Sequence, residues 1–167
     1  LLNNQEVLVD GKRRKDHRFI VGLFDTIVIP TIKKQWRISL DKKGRLILLD
    51  IPETESATKL CKVVGKKILP KGKIQLNLHD GKNITTAKSV KVGETVIITL
   101  PSLEIKEVLS PNVGATVLLI HGKKSGQSGK LKSLIGDEVT LEVDNQDVET
   151  TKRYLFVVGK QKPAVTL

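Results

Sequence analysis

Short segments in which apolar and polar residues alternate, each followed by a turn, constrain this chain more than any other feature. The segment Ile74–Leu78 alternates in this way and precedes Asp80-Gly81, and residues 139–143 repeat the alternation. An apolar residue at every second position indicates a strand with one buried face, and Asp-Gly is typical of a two-residue hairpin turn. Strands at this spacing along the whole chain predict a mostly β fold.

The charge of the chain indicates what it binds. Its 167 residues include 29 Lys and Arg but only 18 Asp and Glu, which gives a net charge of +11. Solubility needs less charge than this, and the commonest polyanionic partner of such a protein is nucleic acid. The sequence has no basic amphipathic helix and no apolar run of transmembrane length, so we expect no membrane partner.

No group of residues in the sequence predicts catalysis or metal binding. His17, His79 and His121 are far apart, and a single cysteine, Cys61, cannot provide the spacing of a zinc finger. His79 is next to Asp80, but neighbours in a strand point to opposite faces, so we interpret His79 as a polar-face or RNA-facing residue. Cys61 is predicted to be buried and inert. We therefore expect no enzyme activity, no cofactor, no metal and no small-molecule substrate.

Three basic segments are predicted to contact RNA. Lysines and arginines on turns bind phosphates and release counterions, and glycine loops allow backbone amides to come close to RNA. A solvated charged turn is the alternative interpretation of each segment. The predicted RNA-binding residues are Lys12, Arg13, Arg14, Lys15, His17 and Arg18, then Lys42, Lys43 and Arg45, and finally Lys123, Lys124, Gly126, Gly129 and Lys130.

Several other stretches carry local structural expectations. Asp50 and Pro52 favour the start of a short helix, and the alternation around Trp36 favours a core side chain over one that stacks on a base. The remaining expectations are a last helical turn at residues 1–5, a strand at 19–21, the helix itself at 50–60, an acidic polar connection at 144–149 and a loose tail at 161–167.

The segment 113–131 resembles a KOW motif. It has Gly114 before an apolar strand, Gly122 at the end of that strand, and Gly126 and Gly129 in the loop beyond it. This strand-loop-strand unit belongs to small SH3-like barrels of ribosomal proteins and transcription elongation factors. The resemblance implies an SH3-like barrel, and it leaves a KOW-type transcription elongation or RNA-binding module as the alternative function.

The first segment resembles the C-terminal part of an S4-type RNA-binding domain. Val9-Asp10-Gly11 followed by a basic run matches that family, in which two helices come earlier. The chain begins with Leu1 after the point where those helices would stand, so we expect a chain that lacks its N-terminal part. An RNA-modifying enzyme that carries such a domain is a second alternative. It would need a sizeable catalytic domain, whereas the later sequence predicts only small β units.

The matching segments together resemble the small-subunit ribosomal protein S4e family of archaea and eukaryotes, and their short spacings favour the archaeal form. The resemblance implies a non-catalytic structural constituent of the small ribosomal subunit, in the cytoplasm, that binds small-subunit rRNA and contacts other ribosomal proteins. It also implies four parts: the C-terminal part of an S4-type domain at 1–40, a central β domain at 41–109, a KOW SH3-like barrel at 110–160 and a tail at 161–167. The matching segments are residues 7–11, 21–25, 59–63, 76–81, 92–95 and 156–160, with the KOW-like loop.

Overall fold

The computed structural model describes residues 7–167, which form three antiparallel sheets of five strands each. The spatial order in the first sheet is β2-β1-β3-β4-β5, in the second β10-β9-β6-β7-β8, and in the third β14-β13-β12-β11-β15. The strands of the first sheet are β1 Leu8–Val9, β2 Lys12–Arg13, β3 Thr26–Ile29, β4 Lys34–Leu40 and β5 Leu46–Asp50.

The second and third sheets follow in chain order, which confirms the predicted mostly β fold. The second sheet contains β6 Thr58–Ile68, β7 Ile74–Leu78, β8 Asn83–Thr86, β9 Thr95–Thr99 and β10 Ile105–Leu109. The third contains β11 Thr116–Leu119, β12 Ser128–Ile135, β13 Glu138–Val143, β14 Gln146–Thr151 and β15 Leu155–Gly159. The non-strand elements are the α-helix α1 Glu53–Ser56 and the 3-10 helices Pro30–Ile32, Pro70–Gly72 and Lys152–Tyr154.

Two-residue turns connect several of these strands. Asp10 and Gly11 both have positive φ, 51° and 70°, as a type I′ hairpin turn requires. Asp144 and Asn145 form a second such turn, with φ of 49° and 63°. The acidic polar connection predicted at 144–149 is therefore wrong, because Gln146 already begins β14 and pairs with Val143. Asp and Asn tolerate the left-handed conformation that this turn needs.

Two other local predictions are also wrong. The helix predicted at 50–60 is one turn long, because the chain enters β6 at Thr58 and Leu60 pairs with Ile97 in the second sheet. The pairing buries Leu60, Cys61 and Val63 of β6, which outweighs the weak helix signal before it. The strand predicted at 19–21 is irregular, and Ile20 is 87% exposed.

The three sheets share one hydrophobic core. Phe24 precedes β3, and its ring centroid lies 4.6 Å from that of Phe156 in β15. Leu60, Ile97 and Leu109 of the second sheet belong to the same cluster of buried side chains. Most other members of this cluster come from the third sheet. A second cluster fills the interior of the second sheet alone and is made of Cys61, Val63, Leu76, Leu78, Ile84, Val90, Val96, Ile98 and Leu100.

The C-terminal residues are packed, so the loose tail predicted at 161–167 is wrong. Val165 is 5% exposed and belongs to the shared core. Thr166 donates its backbone N–H and its hydroxyl to Glu55, at 3.0 and 2.9 Å. Glu55 in turn accepts a 2.7 Å bond from the fully buried Arg37 of β4. The tail of the third sheet is therefore joined to the first sheet.

Strand β4 is covered on both faces. The alternation predicted that its apolar residues point inward, yet Arg37 and Ser39 are buried as well. Trp36 was expected to be a core side chain, and it is half-buried, so this prediction is only partly confirmed. Strand β5 pairs with β4, so the first sheet extends to Asp50. The division of the chain into four parts, expected from the sequence, stays a prediction. The helical turn predicted at 1–5 lies outside the described residues.

Across residues 7–167, none of the helices has the length and apolar character needed to cross a membrane.

Candidate nucleic-acid interface

The turn between β4 and β5 exposes three basic residues on a fixed backbone. The carboxylate Oδ1 of Asp41 accepts bonds from the backbone N–H groups of Lys43 and Arg45, both at 2.8 Å. Gly44 completes the turn with a φ of 74°. This local bonding fixes the turn and leaves the side chains of Lys42, Lys43 and Arg45 exposed.

The glycine-lysine loop between β11 and β12 is also ordered by its own backbone. Gly126 donates its N–H to the carbonyl of Leu119 at 2.7 Å, and Leu119 donates back to the carbonyl of Gln127 at 2.9 Å. These bonds continue the pairing of the two strands into the loop. Lys123 and Lys124 remain exposed at its tip.

The turn and the loop pack against each other, although they belong to different sheets. A side chain at Gly126 would overlap the backbone carbonyl of Asp41, and a Cβ at Gly44 would lie 2.9 Å from the Ser125 hydroxyl oxygen. Two of the three predicted basic segments are thereby brought together. We call the exposed cations that they carry the composite basic surface, which consists of Lys42, Lys43, Arg45, Lys123 and Lys124.

The glycines of the loop have a role inside the protein. The amide of Gly126 is already bonded to Leu119, and a Cβ at Gly129 would lie 2.5 Å from the carbonyl oxygen of Glu142. Close approach between protein backbones thus explains why glycine stands at both positions, while a contribution to RNA binding stays a prediction. Lys130 is exposed on β12.

The first basic segment lies away from the composite basic surface. Lys12 and Arg13 form β2, at the opposite edge of the first sheet from β5. The guanidinium carbon of Arg14 lies 3.8 Å from the centroid of the Phe19 ring. The remaining residues of the segment, Lys15, His17 and Arg18, are exposed, so that the segment could form a second area of phosphate contact.

A buried ionic cluster joins the first and second sheets, and sequence reasoning missed it. Lys59 of β6 is fully buried, and its ammonium group bonds to Asp10 at 2.7 Å, Asp25 at 2.5 Å and Asp80 at 2.6 Å. Lys82 bonds to Asp10 and to Asp80. We call these five residues the Lys59 cluster.

The charges of the Lys59 cluster stabilise one another. Burial by itself would raise the pKa values of Asp10 and Asp80, but the ammonium groups of Lys59 and Lys82 hold both below the ordinary range. Burial would lower the pKa of Lys59, but the neighbouring carboxylates, Asp10 foremost, raise it above its ordinary value. Asp10, Asp80 and Lys59 therefore stay ionised inside the protein.

The same cluster bears on metal binding. Carboxylate oxygens of Asp10, Asp25 and Asp80 lie within 4.8 Å of one another, a spacing that could hold a cation. The Lys59 ammonium group bonds to all three, however, and so provides the positive charge at their centre. These carboxylates therefore act as structural partners of a lysine.

His79 and Cys61 also have structural surroundings. His79 Nδ1 accepts the backbone N–H of Lys62, and Nε2 lies 3.2 Å from the carbonyl oxygen of Leu23. Burial lowers the pKa of His79. Both ring nitrogens have protein partners, and the expected RNA-facing role stays a prediction. Cys61 is buried, as predicted, and burial raises the pKa of its thiol.

The fold and the composite basic surface define the class of this chain, a multi-sheet β protein with the charge of a nucleic-acid-binding protein. The model of the ribosomal family S4e matches residues 32–105. The small ribosomal subunit protein eS4 of Methanocella arvoryzae is 40% identical over 171 residues, which cover 99% of this chain and 72% of that protein. The chain belongs to the ribosomal protein S4e family.

Further relatives agree with this assignment. The eS4 protein of Archaeoglobus fulgidus is 36% identical, and the match covers 100% of this chain and 74% of that protein. The crystal structure of the 30S ribosomal protein S4e from Thermoplasma acidophilum has a TM-score of 0.82 and 30% identity, covering 95% of this chain and 83% of that one. These relatives are archaeal, as the short spacings predicted, and the transcription elongation alternative is not favoured.

Proposed function

We propose that this chain is a structural, non-catalytic constituent of the small ribosomal subunit and that it binds small-subunit rRNA through the composite basic surface. The observation that carries the proposal is the packing of Gly126 against Asp41, which places five exposed cations of two sheets on one surface. The names of the relatives support the ribosomal setting. Location in the cytoplasm and contact with other ribosomal proteins belong to the same proposal.

The physical basis of binding is neutralisation of phosphate charge on a surface of fixed shape. The backbone bonds of the turn and the loop preorganise the backbone that carries the cations, so binding has to order the side chains alone. Aromatic residues are only 3% of the chain, which favours recognition of folded RNA by shape and phosphate position. The first basic segment, Lys12 to Arg18, would add phosphate contacts from a separate area of the protein.

The test is a charge-matched pair of variants. One replaces Lys42, Lys43, Lys123 and Lys124 by Gln, and its control replaces four exposed lysines of the second sheet region by Gln, Lys66, Lys67, Lys73 and Lys106. Affinity for small-subunit and large-subunit rRNA is measured between ~50 and ~200 mM salt, and the slope of log affinity should fall by about 0.9 for each phosphate that the variant no longer neutralises. We expect the first variant to show a smaller slope and a weaker preference for small-subunit rRNA while the control keeps both. An equal decrease in the two variants would contradict the proposal.

A further inference from the structure

A groove of about 950 Å³ between the second and third sheets has no role in the composite basic surface. Its apolar wall is formed by side chains of both sheets, among them Val64, Val92 and Ile120. Val64 and Val92 are 53% and 51% exposed, so the groove presents apolar surface to the solvent. The volume lies within the ~300–1,000 Å³ typical of clefts that bind small groups.

The only tyrosine of the chain lies at the edge of this groove. Tyr154 ends the 3-10 helix Lys152–Tyr154, and its ring meets that of His121 edge to face, with centroids 5.6 Å apart. Gly122 lies against the Tyr154 ring, where a Cβ would be 3.6 Å from two ring carbons. Among residues 7–167, the side-chain hydrogen bonds include neither the Tyr154 hydroxyl nor the His121 ring.

A buried lysine fixes the turn that carries this tyrosine. The Lys62 ammonium group donates to the carbonyls of Arg153 and Leu155, at 2.9 and 2.6 Å. Because Lys62 belongs to β6, it ties the turn of the third sheet to the second sheet. Tyr154 is therefore held in place before any ligand arrives.

The charges around the groove favour an anion. Lys62, Lys152 and Arg153 line it together with one acidic residue, Asp137. In the described part of the chain, neither Lys152 nor Arg153 forms an ion pair with an acidic residue. Burial and the neighbouring ammonium group of Lys152 lower the pKa of Lys62 to about 8. A phosphate between these cations would relieve their repulsion.

We propose that this groove binds an unpaired nucleotide of the RNA partner, with its base stacked at Tyr154 and His121 and its phosphates at Lys152 and Arg153. The inference rests on the proposed function, since it names a second and chemically different contact with the same class of ligand. Unpaired bases are the part of RNA that aromatic side chains recognise, and stacking accounts for a large share of their affinity. An extended acidic peptide would satisfy the cations but would leave the aromatic pair without a matching partner.

The experiment uses the full chain labelled with carbon-13 at tyrosine, which gives one spin system because Tyr154 is unique. A short single-stranded oligoadenylate is compared with an abasic oligomer of the same length and charge. We expect the oligoadenylate to shift the Tyr154 ring resonances upfield and to bind about 5- to 150-fold more tightly than the abasic oligomer. Tyr154→Phe should keep this advantage and Tyr154→Leu should remove it, with thermal unfolding as the check that both variants fold.

The comparison on the unmodified chain decides the proposal without any variant. Equal affinity for the two oligomers, or binding without a shift at Tyr154, would overturn the nucleotide site and leave the composite basic surface untouched. The same holds if oligoadenylate fails to bind while small-subunit rRNA still binds through Lys42, Lys43, Lys123 and Lys124. A shift produced by an acidic peptide but not by oligoadenylate would also overturn it, in favour of a protein partner.

Discussion

The ammonium group of Lys59 lies 2.7 Å from the carboxylate of Asp10, so that a fully buried lysine of the second sheet is paired with the first hairpin turn of the first sheet. Asp10 thus has two roles. Its backbone makes the left-handed turn with Gly11, and its side chain accepts bonds from Lys59, Lys82 and the Thr26 N–H. The position of the hairpin on the second sheet therefore depends on this ionic contact.

Replacement of Lys59 by Met should destabilise the protein by about 3–5 kcal/mol, because the buried Asp10 and Asp25 and the partly buried Asp80 lose their common partner. The free energy of unfolding is measured by urea denaturation. The control is Lys67→Met, an exposed lysine of the same strand, which should change stability by less than about 0.5 kcal/mol. Equal effects of the two substitutions would show that the Lys59 cluster contributes little.

Stability should fall at acid pH because of Asp10 and Asp80. Both have pKa values held below those of the unfolded chain, so their stabilising contribution is present above about pH 4 and is lost as the pH falls toward the folded values. The pKa of Lys59 is raised, so its contribution is lost only as the pH rises beyond about 10.4. Urea unfolding between pH 2 and pH 7 should show the acid loss.

A variant identifies the source of this acid loss. Asp80→Asn should be less stable at neutral pH and should show a shallower fall below about pH 4, since one of the linked carboxylates is gone. Asp144→Asn changes an exposed turn residue to one that equally tolerates positive φ, and it should leave the pH profile unchanged. A profile that Asp80→Asn does not alter would locate the acid sensitivity elsewhere.

The Glu55 carboxylate should matter more for stability than Thr166, which donates hydrogen bonds to it. Glu55→Ala leaves the fully buried Arg37 without its carboxylate and should cost about 3–5 kcal/mol. Thr166→Ala removes only the hydroxyl bond to Glu55, keeps the backbone bond, and should cost about 1 kcal/mol. Urea denaturation measures both, and hydrogen exchange at the Thr166 amide reports whether the terminus stays docked. A Thr166 amide that exchanges freely in the unmodified protein would contradict this packing.

The sequence predicted the features that depend on near neighbours. Asp10-Gly11 and Asp80-Gly81 could be assigned as turns because the chemistry of a turn lies within two residues. The Lys59 cluster could not be predicted, since the partners of Lys59 are 49, 34 and 21 residues away in the chain. The only signal in the sequence was a lysine beside the apolar residues Leu60 and Cys61, and such a lysine is more often exposed at the end of a strand.

The basic residues show the same limit. Their exposure on turns followed from composition and turn signals, but the contact between Gly126 and Asp41 depends on how two sheets pack. The shared core around Phe24 and Phe156 fixes how the sheets pack. The local sequence pattern does not indicate which residues these two side chains contact. The groove beside Tyr154 arises from the same packing, and scarcity of aromatic residues in the composition gave no hint that one tyrosine would line a cleft.

Gly126→Ala should separate the turn from the loop and so weaken both stability and RNA binding. Gly126 has a φ of 84°, and its Cβ would overlap the Asp41 carbonyl, whereas Gly114 has a φ of 86° with nothing within 4 Å of its Cβ. Gly114→Ala therefore measures the conformational cost alone, about 1–2 kcal/mol. Gly126→Ala should cost about 1–3 kcal/mol more, since backbone must move to admit the methyl group.

Urea denaturation of the two alanine variants gives this difference, and binding to small-subunit rRNA gives its consequence. Displacement of Lys123 and Lys124 from Lys42 and Lys43 should lower the affinity of Gly126→Ala for small-subunit rRNA, while Gly114→Ala should bind as the unmodified chain does. If the two variants were equally stable and bound alike, the contact between Gly126 and Asp41 would not assemble the composite basic surface, and each basic segment would act alone.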